Sequence, residues 1–242
     1  IIPTRPERLA FRHEGRVRVQ HGAVLGVFEC AKQRAFLGCR VFQQRKRAEL
    51  DAKKAAEAAP ATAVVGKAAP DFALKDLDGK ELKLSSFKGK TVVLEWFNPG
   101  CPYVKKSHTV GSLVDTAKKH TAKGVVWLSI NSSAPGREGN ELSMNTEAVK
   151  TFAMTNPVLR DEAGIVGKAY GATNTPHMFV IDKKGVLAYA GAIDNSPDGE
   201  KKSAPDNKVV NYVDDAIAAL VAGKPVAVTT SKAYGCSVKY AK

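Results

Sequence analysis

The pattern of polar and apolar positions divides the chain near residue 64. Residues 1–60 show no sustained helical or strand period, and from residue 51 onward the chain is rich in alanine, lysine and glutamate, which is typical of a linker. The apolar stretch at 23–28 is shorter than the ~7–15 residues that a secretory signal needs. We therefore predict that residues 1–60 are a disordered or non-native extension and that residues 64–242 form the folded domain.

The rest of the chain alternates between strand-like and helix-like segments. Asp78-Gly79 stands between two short alternating segments, which predicts an N-terminal β-hairpin. Residues 91–97 (TVVLEWF) and 124–130 (GVVWLSI) are nearly continuous apolar segments, which predicts two strands buried on both faces. A second hairpin is predicted at residues 178–190.

Four segments have the length or the apolar spacing of helices. They are residues 103–123, 146–155, 161–170 and 208–222. The last of them is followed by Gly223 and Pro225, a typical helix stop. The order hairpin, strand, helix, strand, helix, two strands, helix predicts an α/β sandwich with helices flanking a mixed central sheet.

The composition is that of a globular protein, with 44% hydrophobic and 25% charged residues. No apolar segment approaches the ~18 residues that span a bilayer, so we expect no membrane span. The formal net charge of +13 raises the question of nucleic-acid binding. Nine of the eleven arginines lie in the first 60 residues, however, and the lysines elsewhere are evenly scattered, so we expect no nucleic-acid partner.

Four cysteines are present, and two of them, Cys30 and Cys39, lie in the predicted extension. Their spacing, with no histidine cluster nearby, does not fit a metal site. Cys101 and Cys236 are too few to form a structural disulfide framework. Cys101 and Cys236 are therefore considered for their chemical reactivity rather than for a structural role.

Cys101 stands at the junction of a strand and a helix. It follows Phe97 at the end of the predicted strand, and Pro102 suits the first position of a helix, where no backbone N–H is needed. The thiol would then lie at the positive end of the helix, and Lys105 and Lys106 add positive charge one turn later. Because these features favour a thiolate, we predict that Cys101 is a nucleophile.

The residues around Cys101 carry a family resemblance. The pattern Trp-Phe-x-x-x-Cys-Pro after the first buried strand resembles that of the thioredoxin-like redoxins, and most of all the peroxiredoxin-like group of alkyl hydroperoxide reductases and thiol-specific antioxidants. Thr175-Pro176 before a strand resembles the cis-proline of the thioredoxin fold. Further matches lie at residues 65–72, 170–182, 189–194 and 234–240. The resemblance implies a thioredoxin-like three-layer sandwich with an N-terminal β-hairpin.

Three positions depart from the family patterns. Val104 stands where thioredoxins have the second cysteine of Cys-x-x-Cys, so Cys101 has no neighbouring thiol in sequence. Asn98 takes the place of the threonine that precedes a peroxidatic cysteine, and it can still donate and accept hydrogen bonds. Pro176 takes the place of an arginine that helps to hold peroxide, a role for which Arg160 or a lysine could substitute. Peroxides and disulfides both stay open as substrate classes.

We predict that Cys101 is the nucleophile and that Cys236, the other cysteine of the predicted domain, resolves it. Gly235 allows a sharp backbone turn before Cys236, and the cost of loop closure rises only slowly with chain separation. Among other polar residues, we expect His108 at the surface and Asp194 in a turn. The residues expected to support the active site are Asn98, Pro102, Pro176, Trp96 and His177.

The sequence therefore predicts a thiol-dependent oxidoreductase. Its substrate would be a peroxide or a protein disulfide, and its electrons would come from an external thiol reductant such as a thioredoxin. We expect no cofactor and no metal, because Lys105 stands where copper-binding assembly factors of this fold have a second cysteine. The alternative from another class is a redox-inert thioredoxin-like binding module. The alanine-rich linker is typical of chain that follows an export signal, which favours a periplasmic or secreted protein, with a cytoplasmic one as the alternative.

Overall fold

The structure is a computed structural model that describes Lys46, residues 62–197 and residues 200–242. The predicted extension, with Cys30 and Cys39, lies outside the described residues except for Lys46. From residue 62 onward, the described residues belong to one compact unit. No helix among them has the length and apolar character needed to cross a membrane.

A seven-stranded mixed sheet forms the centre of this unit. In space its strands follow the order β2-β1-β5-β4-β3-β7-β8, with β3, β4 and β5 parallel to one another. Two short strands, β6 and β9, pair separately, and β1 with β2 forms the predicted N-terminal hairpin at one edge of the sheet. The strands are β1 (Ala73–Asp76), β2 (Glu81–Lys83), β3 (Val92–Trp96), β4 (Val126–Asn131), β5 (Val158–Arg160), β6 (Asn174–Thr175), β7 (His177–Ile181), β8 (Leu187–Gly191) and β9 (Cys236–Ser237).

Helices pack on both faces of the sheet. They are α1 (Pro102–Thr109), α2 (Thr116–Thr121), α3 (Leu142–Thr151), α4 (Ile165–Tyr170) and α5 (Tyr212–Val221). The α4 helix packs against the face formed by Val92, Leu94 and Trp96, and α5 packs against the opposite face at Val93 and Val180. The arrangement confirms the predicted α/β sandwich with a mixed central sheet.

Strand β3 is central because its sequence can be buried on both faces. All five of its residues are buried, and they pair with β4 on one side and with β7 on the other. The pairing continues past the strand, where the N–H of Phe97 donates to the carbonyl of Ile130 at 2.8 Å. The chain then leaves the sheet at the carboxyl end of the parallel strands, and Cys101 follows there.

The segment 103–123, predicted as one helix, contains two. Gly111 donates its N–H to the carbonyl of Lys106 at 2.9 Å, beyond the end of α1, and Asp115 adopts a φ of 58°. Glycine has a low helix propensity, and a left-handed residue interrupts the ladder of helical hydrogen bonds, so α2 begins anew after it. The prediction of one continuous helix is wrong. It depended on the length of the segment and its lack of proline, but Gly111 and Asp115 interrupt the helix even so.

The sequence pattern does not reveal β5. This strand has three residues, too few to show a period, and it depends on pairing with β4 on one side and β1 on the other. The neighbouring helices also lie elsewhere than predicted: α3 begins and ends four residues earlier than the predicted 146–155, and α4 begins after the strand and its turn.

A charged side chain is buried in the middle of β3. Glu95 is fully buried, and its Oε1 lies 2.7 Å from Nε2 of His108. Its Oε2 accepts hydrogen bonds from Nε1 of Trp127 and Oγ of Ser129, both at 3.0 Å. Burial raises the pKa of Glu95, but the charge and the hydrogen bond of His108 and the two other donors outweigh it, and the pKa lies below its ordinary value. Both carboxylate oxygens of the buried Glu95 are therefore bound by hydrogen-bonding side chains.

The expectation that His108 lies at the surface is wrong. Its side chain is 5% exposed, and its ring stacks on Phe152 with centroids 5.2 Å apart. The charge of Glu95 explains this position, because a carboxylate buried in a strand needs a charged or hydrogen-bonding partner. The pair attaches the end of α1 to the central strand.

Replacing Glu95 with alanine should destabilise the protein by about 3–5 kcal/mol, because three buried donors lose their acceptor. Glu81→Ala is the matched control: it breaks an exposed ion pair with Lys83 and should cost no more than about 1 kcal/mol. Urea denaturation followed by circular dichroism measures both changes in the free energy of unfolding. A loss for Glu95→Ala no larger than that of the control would contradict the stabilising role of the buried pair.

Candidate active site

Cys101 is the N-cap of α1, and Pro102 is the first residue of that helix, as predicted. Asn98 forms the turn that precedes it. The Asn98 carbonyl accepts from the N–H of Cys101 at 3.1 Å, and the side-chain Oδ1 accepts from the N–H of Gly100 at 2.7 Å. An asparagine oxygen that binds the backbone two residues later stabilises a tight turn. The turn therefore places Cys101 directly at the start of the helix.

The side chain of Asn98 also holds a neighbouring loop against this turn. Nδ2 donates to Oγ of Ser133 at 3.2 Å and to the carbonyl of Glu138 at 3.0 Å. A Cβ at Gly139 would lie 2.1 Å from Oδ1 of Asn98, and the φ of 80° at that position favours glycine as well. The amide of Asn98 therefore binds both the turn before Cys101 and the neighbouring loop: its oxygen accepts one hydrogen bond and its nitrogen donates two.

The sulfur of Cys101 is enclosed. The residue is 1% exposed and packs with Phe97 and Val104. Its Sγ donates to the carbonyl of Thr175 at 3.0 Å. The peptide bond between Thr175 and Pro176 is cis, as the resemblance predicts. The cis-proline segment thus lies beside the predicted nucleophile.

Cys236 lies beside Cys101. Strand β9 pairs antiparallel with β6, and the register places Cys236 opposite Thr175, whose carbonyl accepts the hydrogen bond from Cys101. Both cysteines are free thiols, and Cys236 packs against the cluster that contains Cys101. On the way to this position, Thr230 forms a bridge with Ala190 of β8. The structure therefore brings together the two cysteines that the sequence predicts as a pair.

The two thiols are not equivalent. Burial raises the pKa of Cys236 to about 11, and the hydrogen bond and the charge of Cys101 act in the same direction. Glu138 raises it as well, whereas Lys239 lowers it. Cys236 therefore keeps its proton at neutral pH.

Trp96 and His177, both predicted to support the site, lie on the α4 face of the sheet, where Trp96 is fully buried and His177 is half-buried. Their rings lie 5.1 Å and 4.5 Å from the ring of Phe179, whereas Cys101 belongs to a separate cluster around Phe97. Within residues 62–197 and 200–242, no three His, Cys, Asp or Glu side chains are grouped as a metal site.

Two of the cations considered from the sequence have other partners. Arg160 pairs with the carboxylate of a glutamate two residues later, and Nζ of Lys106 lies 3.7 Å from another glutamate. Near Cys236 lies a different cation, Lys239, whose Nζ is 3.6 Å from Oε2 of Glu138 and which lowers the pKa of Cys236. The sequence does not reveal Lys239, because it is one lysine among many until the C-terminal segment folds back.

Asp194 does more than form the expected turn. Its Oδ1 accepts from the N–H of Ser196 at 2.8 Å, which is the turn contact, and from the hydroxyl of Tyr234 at 2.9 Å. Its other oxygen accepts from Oγ of Ser112. Burial, together with the charge of Asp194, raises the pKa of Tyr234, so this hydroxyl remains a donor. Asp194 is thus an attachment point for the segment that carries Cys236.

His177 should make the protein less stable as the pH drops below about 6.5. Burial lowers the pKa of its imidazole from 6.5 to about 4, so the folded state favours the neutral ring. Its contribution to stability is complete above pH 6.5, the ordinary pKa, and is lost as the pH falls through the folded pKa of about 4. A shift of this size corresponds to about 3 kcal/mol at most.

The variant His177→Asn tests this, because its side-chain oxygen can replace Nδ1 as the acceptor for the N–H of Thr173. Urea denaturation at several pH values from about 7 to about 4.5 should show a shallower loss of stability in the variant than in the original protein. The other histidines are common to both proteins, so the difference reports His177 alone. Parallel pH curves would contradict a buried neutral imidazole.

The chain matches the model of one protein family, Redoxin, over residues 64–209. A thiol-disulfide oxidoreductase ResA from Geobacillus thermodenitrificans is 35% identical over 123 residues, which cover 50% of this chain and 65% of that protein. A chloroplastic peroxiredoxin Q from Populus jackii is 32% identical over 133 residues, which cover 50% of this chain and 57% of that protein. The chain thus spans less than two thirds of the length of these relatives.

Solved structures agree with this match. The crystal structure of a hypothetical protein from Sinorhizobium meliloti 1021 has a TM-score of 0.64 and 27% identity, and the match covers 75% of this chain and 97% of that one. The fold is therefore the thioredoxin-like sandwich that the resemblance predicts. Because the family match includes Cys101 and Pro176 and extends over more than half of the residues, this chain belongs to the Redoxin family.

Proposed function

We propose that this chain is a thiol-disulfide oxidoreductase in which Cys101 is the nucleophile and Cys236 is the resolving cysteine. The observation that carries the proposal is the position of Cys236, which lies opposite Thr175 and packs in the cluster that contains Cys101 while both cysteines are free thiols. Disulfide formation requires Cα atoms within about 7 Å of each other. Two cysteines that already pack in one cluster need little backbone movement to form the bond.

The reaction has two steps. In the first, the thiolate of Cys101 attacks one sulfur of a substrate disulfide; a mixed disulfide forms, and the other substrate sulfur leaves as a thiolate that takes up a proton. In the second, Cys236 loses its proton and attacks the sulfur of Cys101, and the remaining substrate thiolate leaves and is protonated. The substrate gains two electrons and two protons, and the pair of cysteines loses them.

The electrostatics of the pair support this order. Part of the raised pKa of Cys236 comes from its hydrogen bond to Cys101 and from the charge of Cys101. When Cys101 becomes part of a mixed disulfide, that charge is gone, and only the effect of burial and of the neighbouring side chains remains. The pKa of Cys236 then loses this contribution, while burial, the largest cause, still raises it. Formation of the mixed disulfide thus eases the loss of the proton from the thiol that resolves it.

The disulfide form of the protein must be reduced before another cycle. An external dithiol, such as that of a thioredoxin, can attack it by the same exchange chemistry and carry the two electrons in. Its disulfide product leaves, and both cysteines return to thiols. The proposed partners are accordingly a protein disulfide as substrate and a dithiol protein as reductant.

A peroxide is the second candidate substrate, supported by the peroxiredoxin Q relatives. Cys101 would take one oxygen atom to become a sulfenic acid, with release of water or an alcohol, and the thiol of Cys236 would condense with it to form the same disulfide and a second water. The side chains considered for holding peroxide are used elsewhere, Asn98 in its turn and Arg160 in an ion pair. We therefore place disulfides first.

One equivalent of oxidised glutathione should convert the reduced protein to the form with a Cys101–Cys236 disulfide. Digestion without reductant followed by mass spectrometry identifies the linked peptides. Cys236→Ser should stop at the mixed disulfide of Cys101 with glutathione, and Cys101→Ser should form neither product. The matched control is Cys30→Ser combined with Cys39→Ser, which should behave as the original protein does, since the mechanism uses neither residue.

If Cys101 stays a thiol after treatment with oxidised glutathione and with hydrogen peroxide, the protein is instead the redox-inert binding module.

The same experiment with hydrogen peroxide in place of oxidised glutathione separates the two substrate classes. If the linked pair forms faster with peroxide, and Cys101 of the Cys236→Ser variant proceeds to sulfinic acid, the protein reduces peroxides and the order of preference given above is wrong.

A further inference from the structure

The C-terminal tail, residues 224–242, covers Cys101 without being buried itself. All of its residues are exposed or only partly buried, whereas Cys101 beneath it is 1% exposed. A segment with few buried side chains opens locally at a lower free-energy cost than the core does. Cys101 is therefore protected by one of the least buried parts of the domain.

Hydrogen bonds attach the tail on both sides of the site. On one side, Oγ of Ser231 accepts from the N–H of Ala192 at 2.9 Å and forms a hydrogen bond with the hydroxyl of Tyr189 at 2.7 Å. On the other side, the hydroxyl of Tyr240 donates to the carbonyl of Ala172 at 2.8 Å. The residues between Ser231 and Tyr240 span the active site from one attachment to the other.

Between these attachments, Gly235 lies close against the cis-proline segment. A Cβ added there would lie 2.2 Å from the carbonyl oxygen of Thr175, the same oxygen that accepts the hydrogen bond from Cys101. The ion pair of Lys239 with Glu138 adds little, because the carboxylate is largely exposed to solvent. The position of the tail in this structure, which we call the seated position, therefore includes a close backbone contact that only glycine permits.

We infer that the tail is a movable cover that limits access to Cys101 by the size of the reacting molecule. This inference rests on the proposed function. With the tail seated, Cys236 lies against Cys101 and the two can form their disulfide, but a polypeptide cannot reach the enclosed sulfur. With the tail lifted from Thr175, Cys101 is open to a disulfide within a polypeptide, and Cys236 is withdrawn.

The two positions of the tail thus serve the two steps of the exchange. The lifted position admits the substrate disulfide and allows the mixed disulfide to form, and the seated position returns Cys236 for the second attack. The tail, including Cys236, lies beyond the residues that match the family model, which end at residue 209.

Two glycine variants, each combined with Cys236→Ser, test the inference. Gly235→Ala introduces a Cβ that collides with Thr175 and should favour the lifted tail. Gly223→Ala is the matched control, since Gly223 also has a positive φ but a Cβ there meets nothing within 4 Å. The rate of alkylation at Cys101 is measured by mass spectrometry with iodoacetamide and with a maleimide that carries a long polyethylene glycol chain.

We expect the parent Cys236→Ser protein to react far more slowly with the bulky reagent than with the small one. Gly235→Ala should raise the rate with the bulky reagent about tenfold or more, which requires a change of only about 1.4 kcal/mol in favour of the lifted tail. Gly223→Ala should leave both rates unchanged. Equal bulky-reagent rates in the two glycine variants, or a parent that does not discriminate between the reagents, would overturn the inference.

Hydrogen–deuterium exchange of the unaltered reduced protein gives a second measurement that needs no variant. The amide of Val238 donates to the carbonyl of Thr173, and the amide of Ala134 donates to the carbonyl of Lys239. Both should exchange through an opening that costs less free energy than exposure of the β3 amides. Exchange of these two amides only by global unfolding would show that the tail does not lift.

These results are separable from those for the proposed function. If oxidised glutathione produces the Cys101–Cys236 disulfide but alkylation does not respond to Gly235→Ala, the movable cover is wrong and the oxidoreductase stands. If alkylation responds but no disulfide or mixed disulfide ever forms, the proposed function is wrong and the inference falls with it.

Discussion

The carbonyl of Thr175 is the contact on which the site depends. It accepts the hydrogen bond of the Cys101 thiol, its residue pairs with Cys236, and Gly235 packs against its oxygen. A buried carbonyl group needs a hydrogen-bond partner, and the start of α1 supplies one here. The cis-proline segment, the helix and the tail are consequently positioned relative to one oxygen atom, so a shift in any of them changes the surroundings of both thiols.

The helix that begins at Cys101 is fixed at both ends by polar groups in the core. At its start, Asn98 forms the turn that places Cys101 at the N-cap. At its end, Nε2 of His108 pairs with Oε1 of Glu95 in the central strand. A carboxylate at this depth is strongly destabilising without a partner, so the pair restricts α1 to one position on the sheet. The thiol of Cys101 is therefore held by interactions that begin several residues away from it.

The position of the second thiol distinguishes this chain from proteins with a Cys-x-x-Cys motif. In that motif the geometry of one helix keeps both sulfurs close, whereas here Val104 takes the second place and the tail supplies Cys236 instead. A thiol on a partly exposed tail can leave and return, which a thiol on the same helix turn cannot. Burial of Cys101 and the proposed movement of Cys236 are thus two consequences of the same arrangement.

The sequence by itself determined the features that depend on neighbouring residues. The buried strand β3, the N-terminal hairpin, Pro102 at the start of α1 and the cis bond before Pro176 all follow from local patterns or from the resemblance they carry. A steric or hydrogen-bonding preference within a few residues acts in any context, so a local pattern is enough to predict it.

Only the tertiary structure decided the remaining features. They include the short strand β5, the burial of His108 against Glu95, the attachment of Tyr234 to Asp194 and the packing of Trp96 and His177 against Phe179. In each case the stabilising partner is distant in sequence, and it becomes a neighbour only when the whole sheet has formed. The hydrophobic burial that drives this assembly is non-directional, so the pattern along the chain shows which residues are buried but not which of them will meet.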